Sequence, residues 1–271
     1  MPLVSDIIAL MDALAPPRLA EDWDNPGLQI GNPQWPVKKV MVSLDASPLV
    51  IADACEQGVN LLITHHPFIF KAIKQIDYST PLGRMIEMAT RHQLAVFSAH
   101  TNLDWVSGGL NDAFADAIGL KNVTILTPLD GAEQLEDRQS GLGRIGDLDK
   151  PMDLAGLAGK IKVTLGLGSV RVVGSADMEV QRIAVCTGSG SGLLKAFFDS
   201  SADVFISGDL RYHDARDAEI NQRGLIDIGH FASERLMVDL IRGRLASALA
   251  ESSRDVLVIG SQQELEPFII R

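Results

Sequence analysis

The stretch Leu61-Leu62-Ile63-Thr64-His65-His66-Pro67 decides how the rest of the sequence is interpreted. Three apolar residues run into two adjacent histidines and a proline, and proline restricts its own backbone and that of the residue before it. The pattern predicts a short buried strand that ends at the histidines. Both imidazoles would then lie at the carboxyl end of a strand, where sites collect in parallel α/β sheets.

The two histidines are compatible with a metal site and with an ordinary structural role. Neutral imidazole is the commonest metal ligand among side chains. Neighbouring side chains on a strand point to opposite faces, so His65 and His66 reach one centre only if the chain turns there; otherwise they serve two adjacent centres. In the structural alternative, one histidine is hydrogen-bonded within the fold and the other is solvated.

Composition limits the class of protein. The chain has 271 residues, of which 46 % are hydrophobic and 22 % charged, so it can form a sizeable core in one large or two small domains. A net charge of −11 disfavours broad nucleic-acid binding, since such binding relies on basic surface. A small anionic substrate, held by a metal or a helix terminus, remains compatible with this charge.

The cysteines and the apolar runs predict the compartment. Cys55 and Cys186 are far apart and form no C-x-x-C pair, which favours two buried thiols in a reducing compartment. The sequence begins without a signal-peptide pattern, and no apolar run approaches the roughly 18–20 residues that span a bilayer. We therefore expect a soluble, cytoplasmic protein with no membrane partner.

Apolar strands alternate with helical segments along most of the chain. This alternation predicts an α/β protein with two α/β domains, built on mostly parallel or mixed sheets. We place the first domain at residues 1–127 plus 225–271 and an inserted second domain at residues 128–224. The last helix and strand are expected to return to the sheet of the first domain.

Polar residues with metal-binding side chains follow three of the predicted strands. They are His65 and His66, then His100 and Asp104, then His230, with Glu234 four residues later on the same helix face if the helix begins near His230. Parallel strands present their carboxyl ends at one edge, so these residues converge provided that the strands share one sheet.

The number and type of these side chains indicate the metal. A mixed nitrogen and oxygen donor set suits zinc, manganese, iron or nickel. The candidates are too many for one tetrahedral catalytic zinc, which takes three protein ligands. Two metals roughly 3.5–4 Å apart and bridged by a carboxylate would use them, and Glu234, one helical turn after His230, is our choice for the bridge.

Other candidates have an ordinary interpretation beside the functional one. Asp45 ends a strand and is equally a hydrogen-bonded turn carboxylate, while His213 is a solvated helix residue or part of the site. The run Gly188 to Gly192 resembles an anion-binding loop but matches no dinucleotide or Walker pattern. Three arginines could clamp a phosphate or simply form a solvated face: Arg211, Arg216 and Arg223.

Four motifs together resemble the Nif-three-like family, also known as GTP cyclohydrolase type-two homologues. The motifs are Asp24-Asn25-Pro26-Gly27-Leu28-Gln29-Ile30-Gly31, Thr64-His65-His66-Pro67, His100-Thr101-Asn102-Leu103-Asp104 and Gly229-His230-Phe231-Ala232-Ser233-Glu234. The resemblance implies a dinuclear metal site in an interdomain cleft and a toroidal homohexamer. It places the ligands at the residues that spacing already indicated: His65, His66, Asp104, His230 and Glu234. The family pattern often has two histidines where this chain has Tyr212-His213.

The resemblance also implies an activity. A dinuclear, divalent-metal-dependent hydrolase would use activated water on a nucleotide-like small molecule, either at the purine C8 or at a phosphoester or amide. From its position four residues before Asp104, we expect His100 to be the general acid or base, with a structural role as the alternative. The alternative is a non-enzymatic protein that binds or delivers metal, or a ring-shaped scaffold for partners.

Overall fold

The computed structural model describes residues 1–129 and 140–269. The chain divides into two compact units, Met1–Leu103 with Met237–Arg271, and Asp104–Leu236. The strands are β1 (Gly27–Ile30), β2 (Lys39–Ser43), β3 (Leu61–Thr64), β4 (Ala95–Ser98), β5 (Lys121–Pro128), β6 (Gly141–Asp153), β7 (Arg171–Val173), β8 (Glu179–Ser189), β9 (Val204–Gly208), β10 (Gly224–Asp227) and β11 (Leu257–Gly260).

The α-helices alternate with these strands over most of the described chain. They are α1 (Val4–Leu14), α2 (Pro48–Glu56), α3 (Pro81–Arg91), α4 (Thr101–Trp105), α5 (Leu110–Ala117), α6 (Leu154–Leu165), α7 (Leu194–Asp199), α8 (Tyr212–Ile220), α9 (His230–Glu234) and α10 (Leu236–Glu251). No helix in the described ranges is both long enough and apolar enough to cross a bilayer. The predicted α/β class with mixed sheets is confirmed.

The sheet of the first unit has the strand order β1-β4-β3-β2-β11. Its strands β2, β3, β4 and β11 are parallel, and β1 joins the edge antiparallel to β4. All four residues of β3 are buried, as expected for a strand covered on both faces. The last strand, β11, pairs with β2, which confirms the predicted return of the C-terminal segment to this sheet.

Helix α2 shows how local sequence positions an element on this sheet. The Ser47 hydroxyl accepts the Val50 amide at 3.2 Å, and Pro48 occupies the first turn, where its missing N–H costs nothing. The buried face of the helix packs with the strand residues Met41 and Leu62 in one apolar core. This packing fixes the loop that joins β2 to α2.

The sheet of the second unit has the order β5-β6-β8-β9-β10-β7. Strands β8, β9 and β10 are parallel, and the remaining pairings are antiparallel. Alternate residues of β8 enter different cores: Ile183 and Val185 join one cluster, Ala184 and Cys186 the other. Both faces of this sheet are therefore covered, as the period of two along a strand requires.

The second unit begins at Asp104 and ends at Leu236, whereas the inserted domain was predicted at residues 128–224. Strand β5 pairs with β6, and β10 pairs with β9, so both belong to the second sheet. Pairing with neighbouring strands decides which sheet a strand joins, and the sequence pattern of a single strand does not reveal that pairing. The segment that begins at His230 forms two helices, α9 and α10.

Candidate metal centre

The chain turns immediately after β3, at the two adjacent histidines. The backbone amides of His65 and His66 both donate to the carbonyl of Leu44, at 3.2 and 3.1 Å. The Thr64 hydroxyl donates to the carbonyl of His66 at 2.8 Å and closes the turn. This turn is the condition under which both side chains can serve one centre, and the two ring centroids lie 5.2 Å apart.

His100, which follows β4, joins these two histidines in the first unit. Its ring centroid lies 5.2 Å from that of His65 and 5.7 Å from that of His66. Each ring contributes a nitrogen to a set in which all members lie within 4.8 Å of one another. His65 is fully buried, and the other two rings are half-buried. We call this set the histidine cluster.

Asp24 fixes the orientation of His100. The Nδ1 atom of His100 lies 2.7 Å from Oδ1 of the buried Asp24 carboxylate, which also accepts the Thr101 amide and hydroxyl. Burial alone would raise the pKa of Asp24, but hydrogen bonds from His100 and Thr101 lower it to about 2. Burial lowers the pKa of His100, against the hydrogen bond with Asp24, and the neighbouring His65 and His66 lower it further.

Asp45 has the corresponding relationship to His66. Its Oδ1 atom lies 2.8 Å from Nδ1 of His66. Glu264, from the C-terminal segment, accepts the backbone amides of Leu44 and Asp45 at 2.5 and 2.8 Å and so holds the loop that carries Asp45. Burial raises the pKa of Glu264, although these amide donors oppose the effect. Asp45 is thus a hydrogen-bonded carboxylate that orients a histidine.

His230 and Glu234 form a pair in the second unit. Both lie on α9, four residues apart, and Nε2 of His230 is 3.0 Å from Oε2 of Glu234. The Nδ1 atom of His230 lies 2.8 Å from Oδ2 of Asp209, a residue with a left-handed φ of 53°. The predicted helical spacing of the pair is therefore present, and Glu234 is buried at 3 % exposure.

Gly188 leaves the space that the Glu234 carboxylate occupies. A Cβ atom at this position would lie 2.2 Å from Oε1 of Glu234 and 3.5 Å from Nε2 of His230. The φ of +65° at Gly188 also disfavours other residues. The Gly188 amide donates to the Ser233 hydroxyl at 2.8 Å, which donates to the His230 carbonyl at 2.7 Å. The glycine-rich run thus borders the space that the Glu234 carboxylate occupies. We call this space, bordered by Gly188 and Glu234, the acidic cradle.

Asp104 contacts the residue that precedes this glycine-rich run. Its Oδ1 atom accepts the Thr187 hydroxyl at 3.5 Å, and its carbonyl accepts the Asn111 side chain at 3.1 Å. The pKa of the buried Cys186 thiol is raised, first by burial and then by the nearby carboxylates of Asp104 and Glu234. Acidic groups therefore accumulate in this part of the second unit, while the thiol stays protonated.

The predicted site residues fall into two groups, one in each unit. His65, His66 and His100 follow strands of the first sheet, whereas His230 follows β10 of the second. The proviso that all these strands share one sheet is not met, because β10 pairs with β9 and β7. His213 lies exposed on α8, and its ring contacts only that of Tyr212 among the aromatic contacts of the described residues.

The three candidate arginines for a phosphate clamp have local partners. Arg211 pairs with Asp214 at 3.1 Å, and Arg216 pairs with Glu219 at 2.7 Å. Arg223 donates to the backbone carbonyls of Ala202 and Ser200. Each of these contacts supports α8 or the strand beside it.

The donor chemistry fits a divalent cation. In four imidazoles, Nδ1 faces an oxygen: the Ala99 carbonyl at 2.9 Å for His65, and an aspartate for each of the others, His66, His100 and His230. A carbonyl or a carboxylate only accepts, so in the neutral rings of His65, His66 and His100 Nδ1 carries the proton and the lone pair lies on Nε2. In His230 both nitrogens face carboxylates, Asp209 at Nδ1 and Glu234 at Nε2. Metal-binding histidines use this arrangement to fix the tautomer and the ring direction. Asp24, Asp209 and Glu264 were missed at the sequence level, because each acts on a residue far away in the chain.

The fold and these side chains define a class of protein: a two-unit α/β protein with a histidine cluster in one unit and an acidic cradle with a histidine in the other. The family model for Duf34/NIF3 (NGG1p interacting factor 3) matches residues 2–267, and the chain belongs to this family. The resemblance seen in the four motifs is confirmed.

Relatives and solved structures agree with this membership. A Clostridium acetobutylicum protein named GTP cyclohydrolase 1 type 2 homolog is 33 % identical over 98 % of this chain and 97 % of its own. A hypothetical protein of Staphylococcus aureus matches with a TM-score of 0.92 and 32 % identity over 100 % of both chains. A Bacillus cereus protein related to NIF3 matches with a TM-score of 0.93 and 26 % identity, over 100 % of this chain and 99 % of its own.

Proposed function

We propose that the protein is a hydrolase that uses two divalent metal ions and acts on a nucleotide-like small molecule. The observation that carries the proposal is the shared orientation of the three imidazoles proposed as ligands, His65, His66 and His230, each with Nδ1 within hydrogen-bond distance of an oxygen acceptor, as metal-binding histidines have it. The ligands we propose are His65, His66, Asp104, His230 and Glu234. Zinc, iron, manganese and nickel all suit this donor set.

Each group of residues has a defined task in this proposal. A bound divalent cation would supply Lewis acidity and lower the pKa of a coordinated water toward about 7. Asp24 holds the ring of His100 in one tautomer, so that Nε2 is the atom that accepts or donates a proton. The acidic cradle around Glu234 supplies negative charge to offset the cations, and Gly188 leaves room for it.

The substrate class comes from the relatives. The Clostridium protein bears the name GTP cyclohydrolase 1 type 2 homolog, and the net charge of −11 disfavours a polymeric nucleic acid. GTP is therefore the first substrate to test, followed by phosphoesters and cyclic amides.

A second function, metal binding or delivery without catalysis, is favoured by one specific observation. The arginines that could have clamped a phosphate, Arg211, Arg216 and Arg223, all have partners within the second unit. The histidine cluster and its carboxylate partners are equally suited to holding a metal as cargo.

Metal analysis followed by a substrate screen separates the two functions. The purified protein is assayed for metals and then for hydrolysis of GTP, phosphoesters and cyclic amides, with and without chelator. Two metals per chain with chelator-sensitive turnover would support the hydrolase. A fully loaded protein without turnover, or with activity that survives the change of both His65 and His66 to alanine, would favour the binding protein.

We also propose that the chain forms a homohexamer, as the family resemblance implies. Sedimentation equilibrium at micromolar concentration should give a mass of six chains of 29.2 kDa each. A monomer under these conditions would contradict the assembly and leave the metal-binding proposal unaffected.

A further inference from the structure

Two large aromatic side chains beside the histidine cluster remain exposed. Trp23 is 60 % exposed and Phe70 is 48 % exposed. Their ring centroids lie 6.0 Å apart with an interplanar angle of 68°, an edge-to-face contact. Aromatic rings usually gain most from burial, so exposed rings in a fixed mutual arrangement suggest a binding surface.

Both rings also contact His100. The Trp23 ring lies 6.0 Å from the imidazole at 76°, and the Phe70 ring lies 6.3 Å from it at 86°. The three rings are thus mutually edge-to-face, and His100 is the link between the pair and the histidine cluster. We call Trp23 and Phe70 the aromatic pair.

Hydrogen bonds hold the two loops that carry the aromatic pair. The Asn25 side chain donates to the Ile69 carbonyl at 2.6 Å, and the Ile69 amide donates to the Gln29 side chain at 3.2 Å. Asp24, the neighbour of Trp23, is fixed by its bonds to His100 and Thr101. These ties keep both rings in place before any ligand arrives, which reduces the entropy that binding must overcome.

We propose that the aromatic pair binds the planar heteroaromatic ring of the substrate, a nucleobase of a free nucleotide, beside His100. The inference rests on the proposed function and names the part of the substrate that the first unit recognises. Stacking on an aromatic side chain is tolerant of base identity because every base has a π-face. Lys71 and Lys74 are exposed on the loop of Phe70 and add positive charge for a phosphate to a chain whose net charge is −11.

The test compares a ligand that has the ring with one that lacks it. GTP and tripolyphosphate are titrated calorimetrically into the full-length, metal-loaded protein, with chromatography to confirm that GTP stays intact. Trp23→Ala and Phe70→Ala should each weaken GTP binding by about 5- to 150-fold, the range measured for one stacked base. Neither variant should weaken tripolyphosphate binding by more than about twofold.

Matched variants guard against a general loss of structure. Trp23→Phe keeps an aromatic face and should restore most of the GTP affinity. Tyr212→Ala removes an aromatic ring that is 71 % exposed in the second unit and should leave GTP binding unchanged. Circular dichroism and melting temperature should match the wild type for every variant, because each altered ring is at least 48 % exposed.

Several results would overturn the inference. These are undiminished GTP binding by Trp23→Ala and Phe70→Ala, an equal loss of GTP and tripolyphosphate binding, and a loss of assembly instead of ligand affinity, which would assign the rings to a second copy of the chain. An oligonucleotide that binds more tightly than GTP would also overturn the choice of a free nucleotide. Failure of the hydrolase proposal would show separately, as absent turnover despite ring-dependent binding.

Discussion

Asp24 and His100 lie 76 positions apart in the sequence, and Nδ1 of His100 is 2.7 Å from Oδ1 of Asp24. The carboxylate is buried, and it receives the Thr101 amide and hydroxyl as well. This bond sets the tautomer of His100, the direction of its Nε2 and the position of the loop that carries Trp23. Its strength therefore affects both stability and the candidate site.

The low pKa of Asp24 predicts a pH-dependent loss of stability. Because the pKa is about 2 in the folded state, against 3.8 ordinarily, the ionised carboxylate stabilises the fold above about pH 4. At 1.36 kcal/mol per pKa unit, Asp24→Asn should lower the free energy of unfolding at pH 7 by about 2 kcal/mol. The difference from the wild type should shrink as pH falls from about 4 toward 2, measured by urea denaturation.

Asp22→Asn is the control for this experiment, since Asp22 is exposed on the same loop. It should leave the free energy of unfolding within about 0.5 kcal/mol of the wild type, as surface substitutions usually do. A constant difference between Asp24→Asn and the wild type from pH 7 to pH 2 would contradict an ionic contribution.

Glu234 is expected to be required for full metal occupancy. Glu234→Gln removes a negative charge from the acidic cradle and should cost at least one of the two proposed metals, measured by elemental analysis. His213→Ala, which removes an exposed histidine from α8, should retain both metals. Binding in the wild type should weaken as pH falls through about 6.5, because the imidazoles must be unprotonated to bind. Two metals in Glu234→Gln would refute the bridging assignment.

Gly188→Ala tests the cradle by filling it. The new Cβ would lie 2.2 Å from Oε1 of Glu234, so the carboxylate must move and metal content should fall. The matched control is Gly166→Ala, since Gly166 has a φ of +67° with no atom within 4 Å of its Cβ position. Both variants should lose about 1–2 kcal/mol from the left-handed backbone, but only Gly188→Ala should lose metal. Equal metal content in the two would exclude a role for the cradle.

His100 is expected to move a proton without binding metal. His100→Ala should keep both metals and lower turnover by about 10²–10⁴-fold, the usual contribution of a general acid or base. The ring of His100 lies within the histidine cluster, so elemental analysis must accompany the kinetics. Loss of a metal in this variant would make His100 a ligand and remove it from acid–base catalysis.

Local patterns in the sequence were sufficient for several features of the structure. The apolar run before Pro67 predicts β3, and the four-residue interval between His230 and Glu234 predicts their pairing on a helix. Each of these inferences depends on the period of a single element. Such periods are fixed by backbone geometry and need no knowledge of neighbouring elements.

Long-range contacts were beyond what the sequence could show. The partnership of Asp24 with His100 and the close approach of Gly188 to Glu234 depend on tertiary packing. The assignment of β10 to the second sheet depends on pairing with β9. In each case, the residues involved have no distinctive local pattern, and many other pairings would have satisfied the same sequence.

The discontinuity of the first unit has a consequence for synthesis on the ribosome. The second unit is one continuous segment, Asp104–Leu236, and can complete its sheet while the rest of the chain is still being made. The first unit must wait, since β2 has an open edge until β11 emerges, and the loop of Asp45 lacks its support until Glu264 follows. The usual order, in which the N-terminal domain folds first, is thereby reversed. A nascent chain that has emerged from the ribosome only as far as Leu236 would therefore have a complete second unit and an exposed, pairing-prone strand in the first.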